Sequence, residues 1–239
     1  MKLTVHDIAQ MIDLSAVRMD DGDQSVRTLV DSARIYQCHL VTTLPNQTLL
    51  AIELLCQAHE VYPQAPEIGI SGNVGFPSGG QTTAIKVAEA QEFLGMGCTE
   101  LDMVINLPGL ISGRYSDTLE DIRAVVEIAG GIPVKVILEC HYLSDILIRD
   151  ACDLCIQAGA AFVKTGTGWA PTGATLENIA LIKTHVGEAI GIKASGGIRQ
   201  LGTLLEMYRL GARRFGIGVR WVGDILAECE RSKDGFIII

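Results

Sequence analysis

The sequence predicts an α/β protein of the closed (β/α)8-barrel class, and three observations predict it. Short, nearly all-apolar β-branched runs alternate along the chain with longer one-sided helical patterns. The 239 residues suit one barrel, at roughly 30 residues per strand–helix unit. Gly numbers 26 while aromatic residues make up only 5%, which fits aliphatic strands joined by many tight turns.

The elements follow in order. Residues 11–14 make a short first strand, and strands are expected at 39–43, 68–74, 100–105, 134–138, 161–165, 191–194 and 214–218. Together they are near-continuously apolar, the mark of parallel strands covered on their outer side. Between them, residues 82–96, 118–128, 144–158, 175–186 and 201–210 repeat apolar positions at three- and four-residue spacing, as one-sided helices do. No linker, repeat or shift in composition divides the chain, so residues 1–239 are read as a single TIM-barrel domain.

The bulk properties exclude several functions. A net charge of -9 opposes binding to nucleic acid, whose phosphates need a positive field. A small phosphorylated ligand remains compatible, because backbone amides and one or two cations suffice to hold it. The seven Cys show no CxxC spacing and the five His show no metal-ligand spacing. Neither a secretory apolar segment nor a run near the roughly 20 residues that span a bilayer is present. The expectation is a reduced, cytoplasmic protein without membrane contact.

In a parallel barrel the site gathers at the C-terminal ends of the strands. Asp102, Lys135, Lys164 and Lys193 all fall inside predicted strands. Inward-facing charges are costly unless they meet one another, and strand parity, open at this point, decides which of the four face inward. An ordinary lysine has a pKa of about 10.4 and is no nucleophile at neutral pH. Burial, or a second cation a few ångströms away, frees the amine to attack a carbonyl and form an imine. Lys164 and Lys193 form such a pair, and Asp102 is placed to move protons. The plainer alternative is a buried Lys–Asp–Lys network that only holds the barrel together.

Glycines follow three successive strands: Gly166 and Gly168 after Lys164, Gly196 and Gly197 after Lys193, and Gly216 and Gly218 at the end of the last strand. Open backbone there lets amides approach an anion, and barrels commonly hold phosphate at this end of the strand order. Ordinary tight turns would look the same one at a time; three together favour an anion pocket.

These motifs, in this order, resemble the deoxyribose-phosphate aldolase family. The likeness runs through NVGFPSG (73–79), TTAIKVAEA (82–90), ELDMVIN (100–106), KVILE (135–139), FVKT (162–165) and GIKASGGIR (191–199). The resemblance implies that Lys164 carries the Schiff base, Lys193 depresses its pKa, and Asp102 relays protons. It places Asp13 at the mouth of the site, Ser15 where Thr is usual, and Lys135 and Thr165 nearby in supporting and binding roles. It further implies a homodimer that needs no metal or organic cofactor, and a reaction joining acetaldehyde to glyceraldehyde 3-phosphate. The enzyme expected is thus a carbon–carbon lyase of carbohydrate catabolism cleaving 2-deoxyribose 5-phosphate.

Three departures bear on the substrate. Gly166 replaces the usual Ser, Trp169 stands where Phe or Lys is more usual, and Gly216–Arg220 (GIGVR) lacks the two usual serines. Arg220 either replaces them with a bidentate contact, faces solvent, or reads a carboxylate or sulfonate. Two alternatives follow: an aldolase of the same family for another phosphorylated or acidic sugar, and a barrel that binds without catalysing.

Overall fold

The structure, a computed structural model, describes residues 2–231 and 236–238. Eight parallel strands close a barrel: β2 (Ile12–Ala16), β3 (Leu40–Thr43), β4 (Gly69–Val74), β5 (Glu100–Val104), β6 (Val134–Ile137), β7 (Phe162–Lys164), β8 (Gly191–Ser195) and β9 (Arg214–Gly218). Sheet order follows chain order, and β9 returns to pair with β2. All eight expected strands are present. The short first one runs further than expected, to Ala16, which brings Ser15 into register with Gly218.

Helices α2 (Asp23–Tyr36), α3 (Thr48–Val61), α4 (Thr83–Met96), α6 (Tyr115–Ala129), α7 (Asp145–Ala158), α8 (Leu176–Val186), α9 (Leu201–Arg209) and α10 (Val222–Glu230) follow the strands, with a short α5 (Leu107–Ile111) after β5. Ahead of the barrel, β1 (Lys2–Thr4) and α1 (Val5–Ala9) lead into β2, and β1 pairs antiparallel with β10 (Phe236–Ile238).

Strand parity, which the sequence left open, decides the chemistry. Successive residues of a strand face opposite sides. Leu101 and Met103 alternate with Glu100 and Asp102, and Val136 and Ile192 alternate with Lys135 and Lys193. Those apolar neighbours belong to the main core cluster shared with the helices. The polar set therefore lines the barrel interior, where Asp13, Asp102, Lys135 and Lys193 are each 0% exposed. Most barrels fill that space with aliphatic layers; this one fills it with paired charges.

A second buried ion pair lies outside the barrel. Lys86 of α4 reaches Asp121 of α6 at 2.6 Å and donates to the Val104 carbonyl, while Thr83 donates to the other oxygen of Asp121. Removing one partner of such a pair typically costs about 3–5 kcal/mol, so its role is to lock two adjacent helices to β5.

Candidate active site

The centre is the Asp102 carboxylate. Its Oδ2 accepts from the Nζ atoms of Lys164 and Lys193, each at 2.7 Å. Its Oδ1 accepts from Lys135 at 2.7 Å and from the Ser71 hydroxyl at 3.0 Å. Neighbouring strands supply these groups side by side: Asp102 is in register with Lys135 and with Asn73, and Lys164 with Lys193.

A second layer supports the first. Asp13 pairs with Lys193 and Arg214, Lys135 also reaches Glu100, and Arg214 bridges Asp13 and Glu100. Four basic side chains thus share three carboxylates, with His39 adding a contact to Glu100 at 3.2 Å. Burial alone would raise the Asp13 acid, but Lys193, Lys135 and Arg214 outweigh it and hold the group at about 2. Asp102 is likewise driven well below the usual carboxylate range by its three lysines against the cost of burial. Lys135 is held above the ordinary lysine value, because the charges of Asp102, Asp13 and Glu100 outweigh its burial. Lys193 goes the other way: burial, with Lys164 and Lys135 close by, brings it down to about 8 despite Asp102 and Asp13.

Lys193, whose proton is loosened, is also the more enclosed of the two lysines on Oδ2. Lys193 is 0% exposed and Lys164 is 5% exposed. Both reach the same carboxylate oxygen, and both border the inner cavity.

Two spaces meet above this centre. The inner one is bordered by Lys164, Lys193, Ser15, Thr42, Asn73, Phe76 and Thr167, among others. The outer one, of about 290 Å³, lies over the ends of β7, β8 and β9 and is bordered by Gly168, Gly196, Gly197, Gly216 and Gly218 with Arg18, Arg199 and Arg220. Among the described residues, the backbone N–H groups of Gly196, Gly197 and Ile198 have no protein acceptor and are open to a ligand. Gly196 has a φ of +96°, and a Cβ there would sit 2.8 Å from the Gly173 Cα, so only glycine fits the turn.

Several sequence expectations need correction. Asp13 does border the inner cavity, but from its fully buried floor rather than the mouth, and it pairs there with Lys193 and Arg214. Lys135 borders neither cavity and is fully occupied by carboxylates. Thr165 is spent tying β7 to β8, donating to the Ser195 carbonyl and accepting from the Ser195 amide, both at 3.0 Å. Arg220 reaches the outer space, yet its guanidinium is already held by Asp20 at 3.1 Å and Asp21 at 3.2 Å. The replacement of Ser by Gly166 has a local reason: a Cβ there would lie 2.8 Å from Oε1 of the buried Glu139. The buried Cys140 thiol is pushed up to about 12 by burial and then by the Glu139 charge.

The reading missed Arg18 and Arg199. Arg18 donates to the Gly168 carbonyl at 2.8 Å, and Arg199 stacks over Trp221 with 4.9 Å to the ring centroid. Arg199 could have been found as the last residue of GIKASGGIR, directly after the glycine turn; Arg18 carried no signal. Trp169 packs beside Phe76, meeting it edge to face, and donates from Nε1 to the Val17 carbonyl at 2.7 Å.

Comparison with known proteins finds the chain similar to aldolases along most of its length. The family model described as DeoC/LacD family aldolase matches residues 39–219. A deoxyribose-phosphate aldolase of Klebsiella pneumoniae is 42% identical over 99% of this chain and 93% of its own length. One from Sinorhizobium medicae is 44% identical over 95% of this chain and 89% of its own. Among solved structures, the tetrameric deoxyribose phosphate aldolase of Aeropyrum pernix superposes with a TM-score of 0.84 at 27% identity, covering 95% of this chain and 93% of that one.

Proposed function

The chain belongs to the DeoC/LacD family of aldolases, and from that membership we propose that it reversibly cleaves 2-deoxyribose 5-phosphate to acetaldehyde and glyceraldehyde 3-phosphate through an imine on Lys164. The observation that carries the mechanism is the shared oxygen: Lys164 and Lys193 both donate to Oδ2 of Asp102 at 2.7 Å. The free amine of Lys164 adds to the substrate aldehyde carbon, and loss of water from the carbinolamine gives the imine. The C3 hydroxyl then gives up its proton, the C2–C3 bond breaks, and its electron pair enters the enamine. Protonation at C2 and hydrolysis release acetaldehyde and restore Lys164. Asp102, with Lys193 behind it, holds and returns the proton at each step.

The phosphate end sits in the outer pocket, on the open amides of Gly196, Gly197 and Ile198, with Arg18 and Arg199 as the nearby cations. Arg220 orders the pocket wall through Asp20 and Asp21 rather than serving as the chief anchor. Guanidinium forks also suit a carboxylate, so Arg18 and Arg199 favour an acidic-sugar aldolase as the second reading. The same reading takes residues 1–239 as one catalytic unit, acting as a homodimer in the cytoplasm. The exposed Ile35 and Tyr62, which border one groove, supply apolar surface for that assembly.

Release of glyceraldehyde 3-phosphate from 2-deoxyribose 5-phosphate is the decisive assay, with Lys164→Ala as its control. Turnover should fall by roughly 10³-fold or more in the variant, and borohydride with acetaldehyde should alkylate the native chain alone. Trapping at Lys164 without turnover moves the assignment to another sugar. Absence of both leaves a barrel that only binds.

A further inference from the structure

Among the described residues lining the inner cavity, Asp13 Oδ2 is covered by its ion pair with Lys193, whereas one oxygen of Asn73 is buried with neither hydrogen bond nor ion pair. Asn73 is 1% exposed, and its amide nitrogen donates to the Thr42 hydroxyl at 2.8 Å and to the Thr43 carbonyl at 2.7 Å. A carbonyl can only accept, so this contact fixes which end of the amide is nitrogen. The amide oxygen, Oδ1, is buried and has no donor. The hydroxyls around it are directed elsewhere: Thr42 to the Ser71 carbonyl, Ser71 to Asp102, and Ser15 to the Ile217 carbonyl. An acceptor left bare in a buried site asks for a donor from the ligand.

Asn73 borders the same cavity as Lys164, beside Thr42 and Phe76. The methyl group of acetaldehyde has no proton to offer there. We propose that Asn73 makes this site competent for an α-hydroxylated carbonyl donor, of the glycolaldehyde class, whose hydroxyl donates to Oδ1 of Asn73. The proposal rests on the imine at Lys164 and extends it. The Lys164 amine condenses with the donor aldehyde and releases one water. Loss of one Cα proton, taken up through Asp102, leaves a hydroxy-enamine. Its Cα forms the new C–C bond to the acceptor carbonyl carbon, whose oxygen gains a proton, and hydrolysis returns Lys164. With a three-carbon aldehyde phosphate as acceptor, the product is an aldopentose phosphate bearing a 2-hydroxyl.

The test needs no acceptor. The native chain is incubated in D2O with glycolaldehyde or with acetaldehyde, and deuterium entering Cα is followed by NMR. The expected result is enzyme-catalysed exchange into both, with kcat/KM for glycolaldehyde at least equal to that for acetaldehyde. In Asn73→Val and Asn73→Leu the ratio of glycolaldehyde to acetaldehyde exchange should fall roughly tenfold, the usual weight of one buried hydrogen bond in discrimination. Exchange into acetaldehyde alone by the native chain overturns this proposal and leaves the imine standing. An unchanged ratio in the variants overturns the role of Asn73. Exchange into neither donor overturns the imine reading and this proposal together. Because the first comparison uses the native chain, a variant that fails to fold leaves the proposal open to refutation.

Discussion

At the scale of single residues, the site is governed by a count of charges. Lys135, Lys164, Lys193 and Arg214 face Asp13, Glu100 and Asp102, so full protonation leaves one positive charge in excess inside the barrel. Releasing one proton removes the excess, and Lys193, brought down from 10.5 to about 8, is where that release is easiest. Lys193 in the folded chain thus binds its proton less well than in the unfolded one. Its share of the stability is lowest below about 8 and recovers as pH rises toward 10.5. Asp13 and Glu100, both held at about 2, act oppositely: their share is present above the ordinary carboxylate range and is lost as pH falls toward 2. Activity should therefore climb through pH 8, measured as kcat/KM over about pH 6 to 10. Asp13→Asn removes a charge that raises the Lys193 pKa, so the climb should move to lower pH. A shift to higher pH would sink the charge-count account.

At the scale of elements, two loops that are not sheet neighbours meet over the mouth. The turn after β2 and the turn after β7 are joined twice, by Trp169 Nε1 to the Val17 carbonyl and by Arg18 to the Gly168 carbonyl. The 89° contact of Trp169 with Phe76, centroids 5.8 Å apart, ties in the turn after β4. Trp169→Phe keeps a ring and removes one hydrogen bond worth about 1 kcal/mol. Steady-state kinetics should show KM for the phosphorylated substrate rising roughly threefold to tenfold, with kcat changing less. Equal losses in kcat would instead place the indole in the chemistry. This strap was illegible beforehand: Trp169 was visible as an odd residue, but its partner is a backbone carbonyl 152 positions away. The strands were legible because their outer faces carry uniform aliphatic runs. Helix α3, TLLAIELLCQAHEV, was harder, since its apolar residues surround the helix and leave no one-sided period.

At the scale of the whole molecule, the chain's order of strands is its order in space, and that is why motif spacing translated into a site. Lys164, Lys193 and Asp102 were legible as strand residues near the rim, and parity and closure turned them inward together with Asn73 and Arg214. Ser71-Gly-Asn73 falls inside the strand expected at 68–74, and the closed barrel puts Asn73 beside Asp102. Asp13 misled because a first strand extended to Ala16 carries it below the mouth. The β1–β10 ribbon has a consequence of another kind. It sets Lys2 opposite Ile238, at the end of the barrel away from the lysines, while exposed residues 63–65 form a turn between α3 and β4 at that same end. A circular permutant, joined across the ribbon by a short linker and opened at 64, should keep kcat/KM within a few-fold and melt only a few degrees lower. The catalytic rim would then be indifferent to which unit the ribosome makes first.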